Sequence, residues 1–155
     1  MNVYEYAMKV EKDGEAYYRE LASKSPNSGL KRIFTMLADE EVKHYNVFKN
    51  MMKKNDIDIN KLDIITDTKT IFETLSNEKN NINFDEEQIQ FYKEAIKKEE
   101  NSHQFYLDKS NEVETENEKA IFIKIAEEEI KHRKVLEEIV EFIQEPDNWV
   151  ASAEF

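Results

Sequence analysis

Cysteine is absent from this 155-residue chain, which excludes disulfides, zinc knuckles, iron–sulfur clusters and thiolate-held iron within it. Glycine and proline are nearly absent, two of each, while 36% of residues are charged. That balance favours long helices over a sheet protein rich in turns. Positive charge is also scarce: 22 Lys and Arg against 34 Asp and Glu leave a net charge of −12. Nothing offers a basic stripe to phosphates, which argues against a nucleic-acid partner. No apolar run approaches the roughly 20 residues that span a bilayer, and Met1 to Glu5 lack the basic-then-apolar pattern of a signal peptide. A cytoplasmic protein without a membrane partner is expected, most simply a single domain over residues 1–155 with a real core.

What the chain does have is repetition. The stretch Ile33 to His44 returns as Ile121 to His132, a shift of 88 residues. The same shift carries Tyr4, Ala7, Glu11 and Tyr18 onto Tyr92, Ala95, Glu99 and Tyr106. It also carries Phe34, Leu37, Phe48 and Met51 onto Phe122, Ile125, Leu136 and Ile139. The fold class implied is all-α, a duplicated helical hairpin giving four helices.

Periodicity places those helices at about 2–24, 28–54, 86–112 and 116–144. Ser25 and Pro26 break the first, and Asn27 or Ser28 can cap the second. Asp85 with Gln88 resembles a capping box for the third, Thr115 with Glu118 caps the fourth, and Pro146 ends it. The segment 55–85, with a short helix expected around Thr70 to Leu75, is too long to join adjacent antiparallel helices. It suits a crossover running the length of a four-helix bundle, as in ferritin-like folds. In the tail 145–155, Trp149 and Phe155 are expected to pin the end onto the bundle.

Each helix carries an apolar stripe interrupted near its middle by a carboxylate: Glu11, Glu41, Glu99 and Glu129. A carboxylate at a core position is costly unless paired, protonated or bound to a cation. His44 and His132 follow Glu41 and Glu129 by three residues, a step that brings both side chains onto one helix face within reach of one ion. The bare Glu-x-x-His pattern is weak with 25 Glu in the chain, and His103 also matches it through Glu100. The repeat separates the two pairs from His103, which is expected at the surface or rim. Glu40, about 100° round the helix from Glu41, is expected to be solvated. Six candidate metal ligands result: Glu11, Glu41, His44, Glu99, Glu129 and His132. Four carboxylates balance two divalent ions, and oxygen-rich ligation with one imidazole per ion suits iron or manganese.

Over about 2–144 these motifs resemble the rubrerythrin-like branch of the ferritin-like di-iron carboxylate proteins. The specific parts are Glu11 through Gly14 to Tyr17 and Tyr18 with Glu41 and His44, and Glu99 through Phe105 and Tyr106 with Glu129 and His132. The resemblance implies a cofactor of two iron ions cycling between ferrous and ferric, with manganese or a mixed pair as the alternative metal. It implies that Glu41 and Glu129 bridge the ions, that Glu11 and Glu99 are terminal, and that His44 and His132 each complete one ion. Tyr18 and Tyr106 would donate hydrogen bonds to that shell, or serve as core aromatics. The substrate implied is hydrogen peroxide or dioxygen, and a homodimer is compatible with the family.

Two departures stand out. With no cysteine there is no rubredoxin domain, so electrons are expected from a separate donor such as a rubredoxin-like protein or a small reductant. Ser102 stands where rubrerythrins carry an extra Glu, and its repeat partner is Gly14. These small residues either leave room beside the metals for dioxygen, peroxide or water, or ease helix packing. Three functional readings follow: a peroxide-reducing oxidoreductase, a ferroxidase or iron-handling protein, and a non-enzymatic binding protein held together by metals.

Overall fold

The computed structural model describes residues 1–25, 27–55, 57, 73 and 86–144. Four helices carry them: α1 (Val3–Lys24), α2 (Ser28–Met52), α3 (Glu86–Lys109) and α4 (Glu116–Gln144). They form a ferritin-like four-helix bundle in which α1 packs chiefly on α2 and α3 on α4, so each repeat is one hairpin. The expected crossover with its short helix at Thr70 to Leu75, the Asp85 cap, Pro146 and the tail with Trp149 and Phe155 lie outside the described residues.

Local chemistry sets the helix ends. Asn2 accepts from the Glu5 amide at 2.8 Å and opens α1. Asn27 accepts from the Gly29 and Leu30 amides at 2.7 and 3.2 Å and opens α2, satisfying two amides that the first turn leaves without intrahelical partners. Thr115 Oγ1 accepts from the Glu118 amide at 3.1 Å at the start of α4. The second helix stops at Met52, short of residue 54, because the chain turns left-handed at Lys54 (φ 60°). There the Asn55 amide donates to the Asn50 carbonyl at 2.9 Å and the Lys54 amide to that of Met51 at 3.0 Å, a Schellman closure. The third helix ends at Lys109, three residues before the expected end, in a turn leading to Thr115.

The apolar stripes meet in two clusters. One gathers Leu21, Leu30, Phe34, Leu37, Tyr92, Leu136 and Ile139, and the other Ala7, Phe48, Met51, Tyr106, Ile121, Phe122 and Ile125. Because the first uses the end of α1 and the beginnings of α2 and α3, those two helices run in the same direction. The end of α2 and the start of α3 therefore lie at opposite ends of the bundle. Full burial of one such side chain stabilises by about 1.5–3 kcal/mol. Among the described residues no helix is long and apolar enough to cross a membrane. Between the clusters, at mid-height, the stripes turn polar.

Candidate metal centre

The four mid-stripe carboxylates and the two imidazoles all arrive in that middle layer, each at most 4% exposed. The donor atoms form two groups, Glu11, Glu41, His44 and Glu129, and Glu41, Glu99, Glu129 and His132. Within each group the atoms lie within 4.8 Å of one another, and Glu41 and Glu129 belong to both. His44 Nδ1 stands 3.2 Å from Glu129 Oε1 and 3.5 Å from Glu11 Oε2. His132 Nδ1 stands 3.3 Å from Glu41 Oε1 and 3.4 Å from Glu99 Oε1. The two rings face each other with centroids 5.8 Å apart and planes 11° from parallel. Repeat symmetry at the sequence level thus becomes pseudo-twofold symmetry of the site.

Several of these atoms have no hydrogen-bond partner: Glu11 Oε2, Glu41 Oε1, Glu99 Oε2, Glu129 Oε1 and both Nδ1 atoms. A buried polar atom left unmade costs about 1–3 kcal/mol, and more when charged. One such atom from each of six residues, in two groups that share Glu41 and Glu129, is the donor set that a pair of divalent cations satisfies. The chemistry of the residues fits the metal pair that the fold implies.

Electrostatics without metal follows from crowding. Burial, then the negative charge of Glu11, pushes the Glu41 carboxyl well above the usual carboxylate range. Burial and then Glu99 do the same to Glu129. For Glu11 burial acts upward, but the His44 charge, the neighbouring Glu41 carboxyl and the Tyr106 hydroxyl outweigh it and hold the group low. Glu99 is held low against burial by Glu129, His132 and Tyr18. Burial acts downward on His44, yet Glu11 beside it lifts the imidazole above its ordinary value. Two carboxyls and an imidazole therefore keep protons where two ions would otherwise sit.

The tyrosines cross the bundle. Tyr106 of α3 donates to Glu11 Oε1 of α1 at 2.5 Å, and Tyr18 of α1 donates to Glu99 Oε1 of α3. Each fixes a carboxylate on the opposite repeat, and burial raises both phenols well above their ordinary value, so they stay protonated donors. Gly14 has a distinct role here, since a Cβ there would lie 2.7 Å from Glu41 Oε2. The carboxylate occupies space that any other residue would fill.

His103 is half-buried at the rim and donates from Nδ1 to the Ala126 carbonyl at 3.0 Å, outside both donor groups. Glu100 is exposed. Glu40 corrects the expectation of a solvated residue: it is 6% exposed, and its repeat partner Glu128 is fully buried. Lysine ammonium groups stand near both carboxylates, with Lys43 Nζ 3.9 Å from Glu40 and Lys124 and Lys131 Nζ 3.7 and 3.9 Å from Glu128. Repeat mapping of Glu40 onto Glu128 was the signal available in the sequence.

A bundle whose interior layer joins single glutamates to paired Glu-x-x-His steps defines the ferritin-like class of metal-pair proteins. Within that class the chain belongs to the rubrerythrin family: the family profile, described as Rubrerythrin, matches residues 2–140. Neither the curated proteins nor the solved structures contain a match to the chain.

Proposed function

We propose that the protein is a non-haem di-iron oxidoreductase that reduces hydrogen peroxide, acting in the cytoplasm. The observation that carries this reading is the gathering of six residues with orphaned donor atoms into two groups that share Glu41 and Glu129. Iron held there would supply two electrons, one from each ferrous ion. The chain's own part is to hold and orient. Glu11 with His44 and Glu99 with His132 would complete the two ions, and manganese would satisfy the same donors. Tyr106 and Tyr18 fix the outer carboxylates through their hydroxyls. Gly14 leaves the Glu41 carboxylate the space it occupies, and a cavity reaches Glu41, Glu99 and Glu129 from between α1 and α3. With no cysteine in the sequence, a rubredoxin-like protein or a small reductant restores the ferrous state.

Anaerobic loading with ferrous iron, metal counting, and stopped-flow absorbance against peroxide and against oxygen test this. Two ions per chain, oxidised faster by peroxide than by oxygen and restored by added reductant, are expected. Faster reaction with oxygen followed by continued iron uptake would replace this reading with ferroxidase or storage. A metal pair that never turns over would leave only a structural role.

A further inference from the structure

The cavity between α1 and α3 is far larger than hydrogen peroxide requires. Half open to solvent, it offers about 290 Å³, against roughly 10–15 Å³ for one water molecule. It exists because α1 and α3 approach each other much less closely than either approaches its hairpin partner, and because Gly14 and Ser102 line it with almost no side chain.

Its walls and its floor differ in chemistry. Val10 of α1 and Ala95 and Phe105 of α3 make apolar walls. The exposed ring of Tyr6 lies 5.2 Å from that of Phe105 and forms one lip. On the other side Lys98 Nζ sits 4.9 Å from the centre of the Tyr17 ring. Lys98 and Asp13 bring one charge of each sign to the lining above the floor. The floor is Glu41, Glu99 and Glu129, buried carboxylates that each present an oxygen without a hydrogen-bond partner. A half-open chamber with apolar patches at Val10, Ala95 and Phe105, over a polar floor, has room for a molecule with a compact uncharged organic body and one reducible polar end.

Resting on the peroxide-reducing reading above, we infer that the substrate is an organic hydroperoxide, its organic group held between α1 and α3 and its O–O end on the floor. The reaction balances as ROOH plus two protons and two electrons giving ROH and water. The O–O bond breaks, both protons come from solvent through the mouth, and the two electrons would be supplied by a ferrous pair held by Glu11, Glu41, His44, Glu99, Glu129 and His132, one from each ion.

Ferrous-loaded protein mixed with cumene hydroperoxide and, separately, with hydrogen peroxide tests this, together with saturation-transfer NMR of the unreactive product cumyl alcohol. Cumene hydroperoxide is expected to oxidise the iron within about tenfold of the rate with hydrogen peroxide. Ser102→Phe, and Val10→Phe from the opposite wall, should each lower the ratio of the organic to the inorganic rate by about tenfold or more. Cumyl alcohol should give transfer signals with the native chain that weaken in both variants. If hydrogen peroxide reacts and cumene hydroperoxide does not, the substrate assignment falls and the parent reading stands. An unchanged rate ratio with undiminished cumyl alcohol signals in both variants overturns it equally. Failure of hydrogen peroxide itself removes the parent reading and this one with it.

Discussion

The two ends of the bundle and its middle are built on opposite terms. At the ends, Phe34, Leu37, Phe122 and Ile125 are fully buried among other apolar side chains. In the middle the same stripes present Glu11, Glu41, Glu99 and Glu129, just as buried and short of partners. A sequence shaped for stability alone would continue the apolar stripe, since replacing buried charge by well-packed hydrophobic groups is often neutral or stabilising. The ends supply the stability that lets the middle stay polar.

The largest expected effects set these regions against each other. Phe122→Ala should lower unfolding free energy by about 3–5 kcal/mol, in metal-free and metal-loaded protein alike. Glu41→Ala or Glu129→Ala should instead abolish binding of a metal pair and the rise in melting temperature that loading brings, because each takes a shared donor from both groups. Denaturant unfolding and metal counting on the variants check both. Full metal content in either Glu variant would remove the shared-ligand assignment.

A smaller effect concerns pH. Glu41, Glu129 and His44 all have folded values above their ordinary ones, so the folded metal-free chain binds protons that the unfolded chain releases. Their stabilisation is complete below the unfolded values, 4.5 for the carboxyls and 6.5 for His44, and is lost as pH rises through the folded values. Glu11 and Glu99, held low, act the other way and lose their contribution only as pH falls through the acidic range. Metal-free protein should therefore lose stability as pH rises through the window that opens above these unfolded values, at up to about 1.4 kcal/mol per pH unit for each proton released. Metal-loaded protein should show little of this slope, since ions replace the protons. Thermal unfolding of both forms across the window checks it, and a metal-free midpoint that climbs with pH would contradict the proton-holding middle.

The four-helix fold was legible because the 88-residue shift repeats stripes, caps and breaks together. Helical spacing also indicated which glutamates point inward: Glu11, Glu41, Glu99 and Glu129 are all buried in the middle layer. Burial of Glu40 and Glu128 was harder to read, because both lie off the apolar stripe and only their pairing by the repeat hinted at it. The crosswise bonds, Tyr18 to Glu99 and Tyr106 to Glu11, were equally hidden, since spacing within one helix does not choose a partner on another. Gly14 and Ser102 hinted at space, but the size of the cavity is set by the separation of α1 and α3 and by Phe105, Val10 and Tyr6 around it.

The smallest expected effect gives the sharpest contrast, because it compares neighbours. Glu99 and Glu100 carry the same side chain one residue apart, and about 100° of helix rotation separates them. Glu99 is 4% exposed, receives the Tyr18 hydroxyl and faces His132 at 3.4 Å, whereas Glu100 is exposed to solvent. Glu100→Ala removes one charge from an already acidic surface and should change stability by no more than about 0.5 kcal/mol, leaving two metal ions per chain. Glu99→Ala takes a donor from one group alone, so one ion should weaken more than the other while Glu11, Glu41, His44 and Glu129 remain. Isothermal titration of both variants with ferrous or manganous ion reads the difference. Equal loss of metal in the two would mean that surface charge, rather than the buried layer, governs binding.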